Sequence, residues 1–150
     1  MDKTTLLKIE HLKKYFPVKA GVFRSTIGWV KAVDDVSFAV YAGETFGIVG
    51  ESGCGKSTLG LAILRLYEPT SGRIIFEGKE IHNLPQSKFM QYRKNLQMIF
   101  QDPFSSLNQR MTIVSIIEEG MTIHKIRNHK KRSAMVMNLL QQVGLQHDEM

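Results

Sequence analysis

A chain of 150 residues, 43% hydrophobic and 23% charged, is long enough for a domain with a real core and too ordinary in composition for a low-complexity or repeat protein. No apolar run approaches the roughly 18 residues of a membrane span, and Met1 to Thr5 lack the apolar core of a signal peptide, which predicts a cytosolic chain. The net charge of +6 admits a nucleic-acid partner, but the cations are dispersed, and the densest run, Lys125 to Arg132, has no aromatic stacking partners and reads as a solvated face.

Leu6 to His11 alternates apolar and polar residues, as a half-exposed strand does. A basic, glycine-bracketed loop is expected from Pro17 to Gly28. Strand character resumes over Trp29–Val33, Asp34-Asp35 reads as a turn, and Val36–Val40 alternates again. The first third therefore predicts an antiparallel β layer. Thr45 to Val49 is an apolar run suited to a buried parallel strand.

The chemistry lies directly after that run. Gly50-Glu51-Ser52-Gly53-Cys54-Gly55-Lys56-Ser57-Thr58 fits the phosphate-binding pattern G-x-x-x-x-G-K-[ST]. Gly50, Gly53 and Gly55 allow the positive φ angles that an anion-binding nest requires. A helix is expected to open near Lys56, with Leu59, Ile63 and Leu66 on one face, aiming free N–H groups and a partial positive charge at the phosphates. Lys56 adds a full charge for the β and γ groups, and the Ser57 hydroxyl can ligate Mg²⁺. Cys54, the single cysteine, cannot form an internal disulfide and reads as a small residue in a crowded loop rather than a redox group. The five histidines (His11, His82, His124, His129, His147) show no metal-ligand spacing.

Beyond the loop helix, Glu68 to Gly72 is a stop and turn, Arg73–Phe76 a short strand and Glu77-Gly78 a turn. Ser87–Lys94 reads as a helix that Ser87 could cap, and Leu96–Phe100 as a second buried strand. From Met111 the character is helical: Val136, Leu139, Leu140 and Val143 keep i, i+3, i+4, i+7 spacing, with Gly144 a natural C′ residue. The chain thus divides into an α/β part over 1–105 and a helical part over 106–150. Leu145 to Met150 bring no closing element.

The loop SGCGKST together with Gln97-Met98-Ile99-Phe100-Gln101-Asp102-Pro103 resembles the N-terminal portion of an ATP-binding cassette (ABC) protein. Lys31 to Phe38, and Asp102-Pro103-Phe104-Ser105-Ser106-Leu107-Asn108, resemble the ATPases of oligopeptide, dipeptide and nickel importers, and the similarity runs from about Leu6 to about Leu145. The resemblance implies a P-loop NTPase core carrying an N-terminal antiparallel β layer and the start of an α-helical subdomain, truncated. It implies ATP and Mg²⁺ as ligands. It places an adenine-stacking aromatic at Phe16, with Tyr15 as the alternative, an α-phosphate contact at Thr58, and the Q-loop glutamine at Gln101. An amide suits the last role, because its oxygen can ligate a hard cation while its N–H₂ donates.

The implied partners are transmembrane permease subunits and a second ABC ATPase, at the inner face of the cell membrane, with no direct nucleic-acid contact. Asn108-Gln109 departs from the family's usual Asn-Pro, which is expected to loosen a turn. No LSGGQ-type signature, Walker B Asp-Glu or switch histidine appears in these residues, so a fragment that binds nucleotide at most is expected. The alternatives are a soluble ABC-type ATPase acting on nucleic acid, against which stands the lack of heptads and CxxC pairs, and a non-functional gene remnant.

Overall fold

The computed structural model describes residues 4–22 and 24–145, with Ser105 described by its backbone only. Met1 to Lys3, Phe23 and the end from Gln146 to Met150, including His147, lie outside the described residues. The chain forms two compact units, Met1–Met98 and Ile99–Met150.

The first unit is built on an antiparallel sheet of order β2-β1-β3-β4, from β1 (Thr5–Ala20), β2 (Ser25–Tyr41), β3 (Ser71–Phe76) and β4 (Lys79–Glu80). Alternation decides which face is buried: Ile74 and Phe76, two apart on β3, are both covered, and Ile74 stands opposite Ile9 of β1. Leu59 and Ala62 of α1 (Lys56–Ile63) join them with Leu12, Val33, Ile81 and Phe89 in one core. Arg65, in a left-handed conformation at φ 52°, ends that helix. Its guanidinium donates to the carbonyls of Ile81 (3.0 Å) and Leu84 (2.6 Å) and covers the Phe89 ring.

The β layer is more continuous than expected. Asp34-Asp35 does not reverse the chain: β2 runs through it, and Asp35 takes φ 59° opposite an irregularity at His11, whose Nδ1 lies 2.8 Å from the Asp35 carboxylate. The segment Pro17–Gly28 is no loop but the far end of a hairpin, with the reversal confined to the few residues after Ala20, where Arg24 N–H donates to the Gly21 carbonyl (3.1 Å).

Two expected strands do not form. Thr45–Val49 and Leu96–Phe100 have strand-like sequences but no ladder, and Val49 and Ile99 are 94% and 91% exposed. A strand exists only against a neighbour, and among the described residues none lies beside either segment. Phe46 stacks instead on Phe38, ring centroids 4.8 Å apart. The expected Ser87–Lys94 helix shrinks to α2 (Gln86–Phe89), with Pro85 rather than Ser87 at its N-cap. The chain then tightens into i+3 turns, Tyr92 N–H to Phe89 O and Asn95 N–H to Tyr92 O, that keep Phe89 buried. Leu66 falls past the end of α1 and is half exposed.

The second unit holds a 3₁₀ turn (Phe104–Ser106) and two helices, α3 (Ile113–Ile123) and α4 (His129–Gln142). Thr112 and Asn128 cap them, each side chain accepting from the backbone N–H three residues on. Met121, Val136 and Leu140 form the core, and Gly144 at φ 80° comes after α4 as the spacing predicts. The departure at Gln109 leaves a closed turn: the Asn108 side chain accepts from Arg110 N–H (3.1 Å) and its carbonyl from Met111 N–H (2.9 Å). Among the described residues no helix is long and apolar enough to cross a membrane.

Candidate functional site

The segment from Gly50 to Thr58 folds as a loop closed on itself and running into α1. Lys56 closes it: the ammonium donates to the carbonyls of Gly50 (2.8 Å) and Glu51 (2.6 Å) and lies 3.4 Å from Cys54 Sγ. Cys54 N–H donates back to Glu51 O (3.3 Å). Two of the three ammonium hydrogens thus hold the loop's curvature, and the charge sits at its centre.

Gly55 is the N-cap of α1 at φ 98°, a conformation that costs an L side chain. A Cβ there would meet the carbonyl oxygen of Ala32 at 2.0 Å, so the loop can lie against β2 only because residue 55 is glycine. Gly55 O accepts from Leu59 N–H (2.8 Å), the first helical bond. No side chain caps this helix and no acid stands in its first turn. Its leading N–H groups, those of Lys56, Ser57 and Thr58, have no intrahelical acceptor and carry the positive end of the helix dipole.

Loop and strand enclose a cleft of about 320 Å³ lined by Val30, Lys31 and Ala32 of β2 and by Gly53 to Thr58. Two lysines, the first residues of the helix and the hydroxyl-bearing Ser57 and Thr58 thus line one space, with Glu51 the only acid in the loop and Lys31 paired to Asp34 on β2. The donors match a polyphosphate, and the Ser57 hydroxyl is the hard-oxygen ligand that an accompanying cation needs. Ser52, like Glu51, lies on the exposed rim.

The two aromatic candidates behave differently. Tyr15, opposite Lys31, donates its hydroxyl to Asp34 and has the Lys31 ammonium 5.4 Å from its ring centroid. That hydrogen bond pushes the phenol above its usual range and holds the Asp34 carboxyl, which Lys31 also contacts (3.3 Å), below its own. Phe16 is opposite Val30, which lines the cleft, so it stands one strand away on the same face. Its ring packs edge-on against Tyr67 (5.3 Å) beneath the Lys14 ammonium (4.8 Å).

Gln101 belongs to the second unit, exposed at a bend two residues before Pro103. The cleft also brings in Val30, Lys31 and Ala32, for which the sequence predicted no site role. Only the approach of β2 to the loop reveals them, and no local motif encodes that approach.

A glycine loop closed by its own lysine, a bare helix N-terminus and a flanking β layer define a P-loop nucleotide-binding protein. Residues 33–150 match the ABC transporter family, and the chain belongs to it. It is 51% identical over 145 residues to the oligopeptide transport ATP-binding protein AppF of Bacillus subtilis (strain 168), covering 96% of this chain and 44% of that protein. It is 43% identical over 145 residues to the dipeptide transport ATP-binding protein DppF of Haemophilus influenzae (strain ATCC 51907 / DSM 11121 / KW20 / Rd), again covering 96% of this chain and 44% of the relative. In fold it is similar to the dimeric, post-hydrolysis structure of the ATP-binding cassette MJ0796 bound to ADP and Pi, with a TM-score of 0.74, 23% identity, and coverage of 96% of this chain and 60% of that one. The chain spans less than half the length of the curated relatives it matches.

Proposed function

We propose that these residues are the ATP-binding part of the ATPase subunit of a peptide importer. The single observation that carries the reading is the loop against β2: a Lys56 charge, free helix N–H groups and a Gly55 that admits no side chain, all on one cleft. The peptide assignment is supported by the names of relatives at 43–51% identity.

In this reading the cradle binds the triphosphate. Lys56 would exchange its loop carbonyls for the β and γ phosphates, Thr58 would take the α-phosphate, and the loop from Gly50 to Gly55 would offer backbone N–H groups, that of Cys54 on release from the Glu51 carbonyl. Phe16 stacks on the adenine. Ser57 would hold the Mg²⁺ that neutralises phosphate charge during transfer, and Gln101, as the Q-loop glutamine, would be the second candidate ligand, near the metal and the attacking water. Residues 106–150 begin the helical subdomain that meets the membrane subunits, and a second ATPase subunit completes the assembly at the cytoplasmic face of the membrane. The role assigned to these 150 residues is binding and positioning, since transfer to water needs further groups from the rest of such an assembly.

Titration with a fluorescent ATP analogue tests the site. Lys56→Ala should weaken binding by about 10- to 100-fold, as loss of a charge-assisted contact implies. Equal affinity of Lys56→Ala and wild type would overturn the assignment.

A further inference from the structure

The hairpin of β1 and β2 outruns its sheet. β3 pairs with β1 only from Leu7 to Lys13, whereas β1 and β2 stay paired to Ala20 and Ser25. Three contacts moor the base of the extension: Lys14 Nζ donates to Glu68 O (2.8 Å), Tyr15 N–H to the Thr70 hydroxyl (2.9 Å), and Phe16 packs on Tyr67. Past them, a two-stranded ribbon continues, with no third strand among the described residues.

A ribbon of this kind should expose polar residues, yet Val22 is 95%, Ile27 68% and Trp29 58% exposed. The apolar residues sit in a strongly basic frame. From Lys13 to Lys31 the chain has five lysines and arginines and no carboxylate. Lys19 and Arg24, nearest the tip, make no ion pair among the described residues.

We propose that this ribbon is a lipid-contacting arm that seats Val22, Ile27 and Trp29 in the interface of an anionic membrane. An indole is suited to the headgroup level, aliphatic tips to the acyl boundary, and Lys19 and Arg24 to lipid phosphates. Nucleic acid would use the same charge and could stack on Trp29, but it would leave Val22 and Ile27, which have no π-face, without a role. Strand addition by a second copy to β1 fits poorly, because Pro17 and Lys19 blunt its free edge. The base of the arm adjoins the nucleotide cleft through Val30 and Lys31, but Lys19, Val22, Arg24 and Ile27 are not among the residues that line it.

Trp29 is the only tryptophan, so its emission reports on the arm alone. The 150-residue chain is titrated with phosphatidylcholine vesicles and with vesicles containing phosphatidylglycerol. The expected result is a blue shift, and quenching by acyl-brominated lipid, with the anionic vesicles only. Lys19→Glu with Arg24→Glu should weaken partitioning at least about 25-fold, since each basic residue near an anionic surface is worth about fivefold. Val22→Asp with Ile27→Asp should abolish the shift while leaving far-UV circular dichroism and nucleotide titration at wild-type values. Val49→Asp, outside the arm, should leave it intact. The proposal is overturned by an unshifted Trp29 with anionic vesicles, or by vesicle binding that survives the arm variants and is lost in Val49→Asp. A shift induced by oligonucleotide and not by vesicles would overturn it in favour of a nucleic-acid surface.

Discussion

The carbonyl oxygen of Ala32 stands 2.0 Å from where a side-chain carbon at position 55 would lie. Strand β2 and the phosphate loop are therefore in backbone contact at Gly55, which also takes φ 98°. Neither demand can be met by alanine, because the obstacle is backbone and the conformation is left-handed. Gly55→Ala should destabilise the first unit by about 2–5 kcal/mol, strain and overpacking together, and reduce nucleotide binding below detection. Thermal unfolding and nucleotide titration check this, and a wild-type melting temperature would show that the loop does not lie against β2.

Phe16 and Tyr15, the two aromatics that the sequence left as alternatives for the adenine, have different partners, and substitution can separate them. Both stand opposite cleft residues, Tyr15 opposite Lys31 and Phe16 opposite Val30, but the Tyr15 hydroxyl is paired with Asp34, whereas Phe16 packs on Tyr67. Phe16→Ala should weaken ATP by about 2- to 12-fold, the worth of one aromatic stack, and leave inorganic triphosphate unaffected. Tyr15→Phe should change neither. A larger loss in Tyr15→Phe than in Phe16→Ala would reverse the assignment.

Tyr15 and Asp34 also make a prediction about pH. The hydrogen bond from the phenol lowers the Asp34 carboxyl below its ordinary 3.8 and raises Tyr15 above its ordinary 10.0. For the carboxylate, the stabilisation is complete above the unfolded value and is lost as pH falls through the lower folded one. For the phenol, it is complete below the unfolded value and is lost as pH rises through the higher folded one. Asp34→Asn should therefore bring one tyrosine's ultraviolet titration back toward pH 10, and should flatten the acid limb of stability below pH 4. Unchanged titration of all tyrosines in Asp34→Asn would show that the pair does not form in solution.

What the sequence made legible divides along the same physical line. The phosphate loop and α1 were readable because the geometry is local: glycines at 53 and 55, a lysine at 56 and a helical repeat after it. Helix α4 was readable through Val136, Leu140 and Gly144 for the same reason. Thr45–Val49 and Leu96–Phe100 misled because an apolar run states what a strand would bury, not whether a neighbour is present. Pro17 and Gly28 read as loop punctuation, yet both sit in paired strands of the arm, opposite Trp29 and Val18 respectively. The site residues that escaped, Val30 to Ala32, are defined only by which strand the loop touches.

In α4 two adjacent leucines give a test of the second unit. Leu140 is 2% exposed in the core with Val136 and Met121, whereas Leu139 is 44% exposed. Helical periodicity alone put both on one face, but adjacent residues on a helix lie about 100° apart, and the core is narrow enough to take only one. Leu140→Ala leaves a cavity and should cost about 2–5 kcal/mol. A unit this short gains only a few kcal/mol from such a core, so α3 and α4 should lose protection from hydrogen exchange together. Leu139→Ala replaces a half-exposed side chain by a better helix former and should stay within about 0.5 kcal/mol of wild type. Equal effects of the two substitutions would mean that α4 does not pack on α3 through Leu140, whereas loss of protection confined to α4 would mean that the two helices are not one cooperative unit.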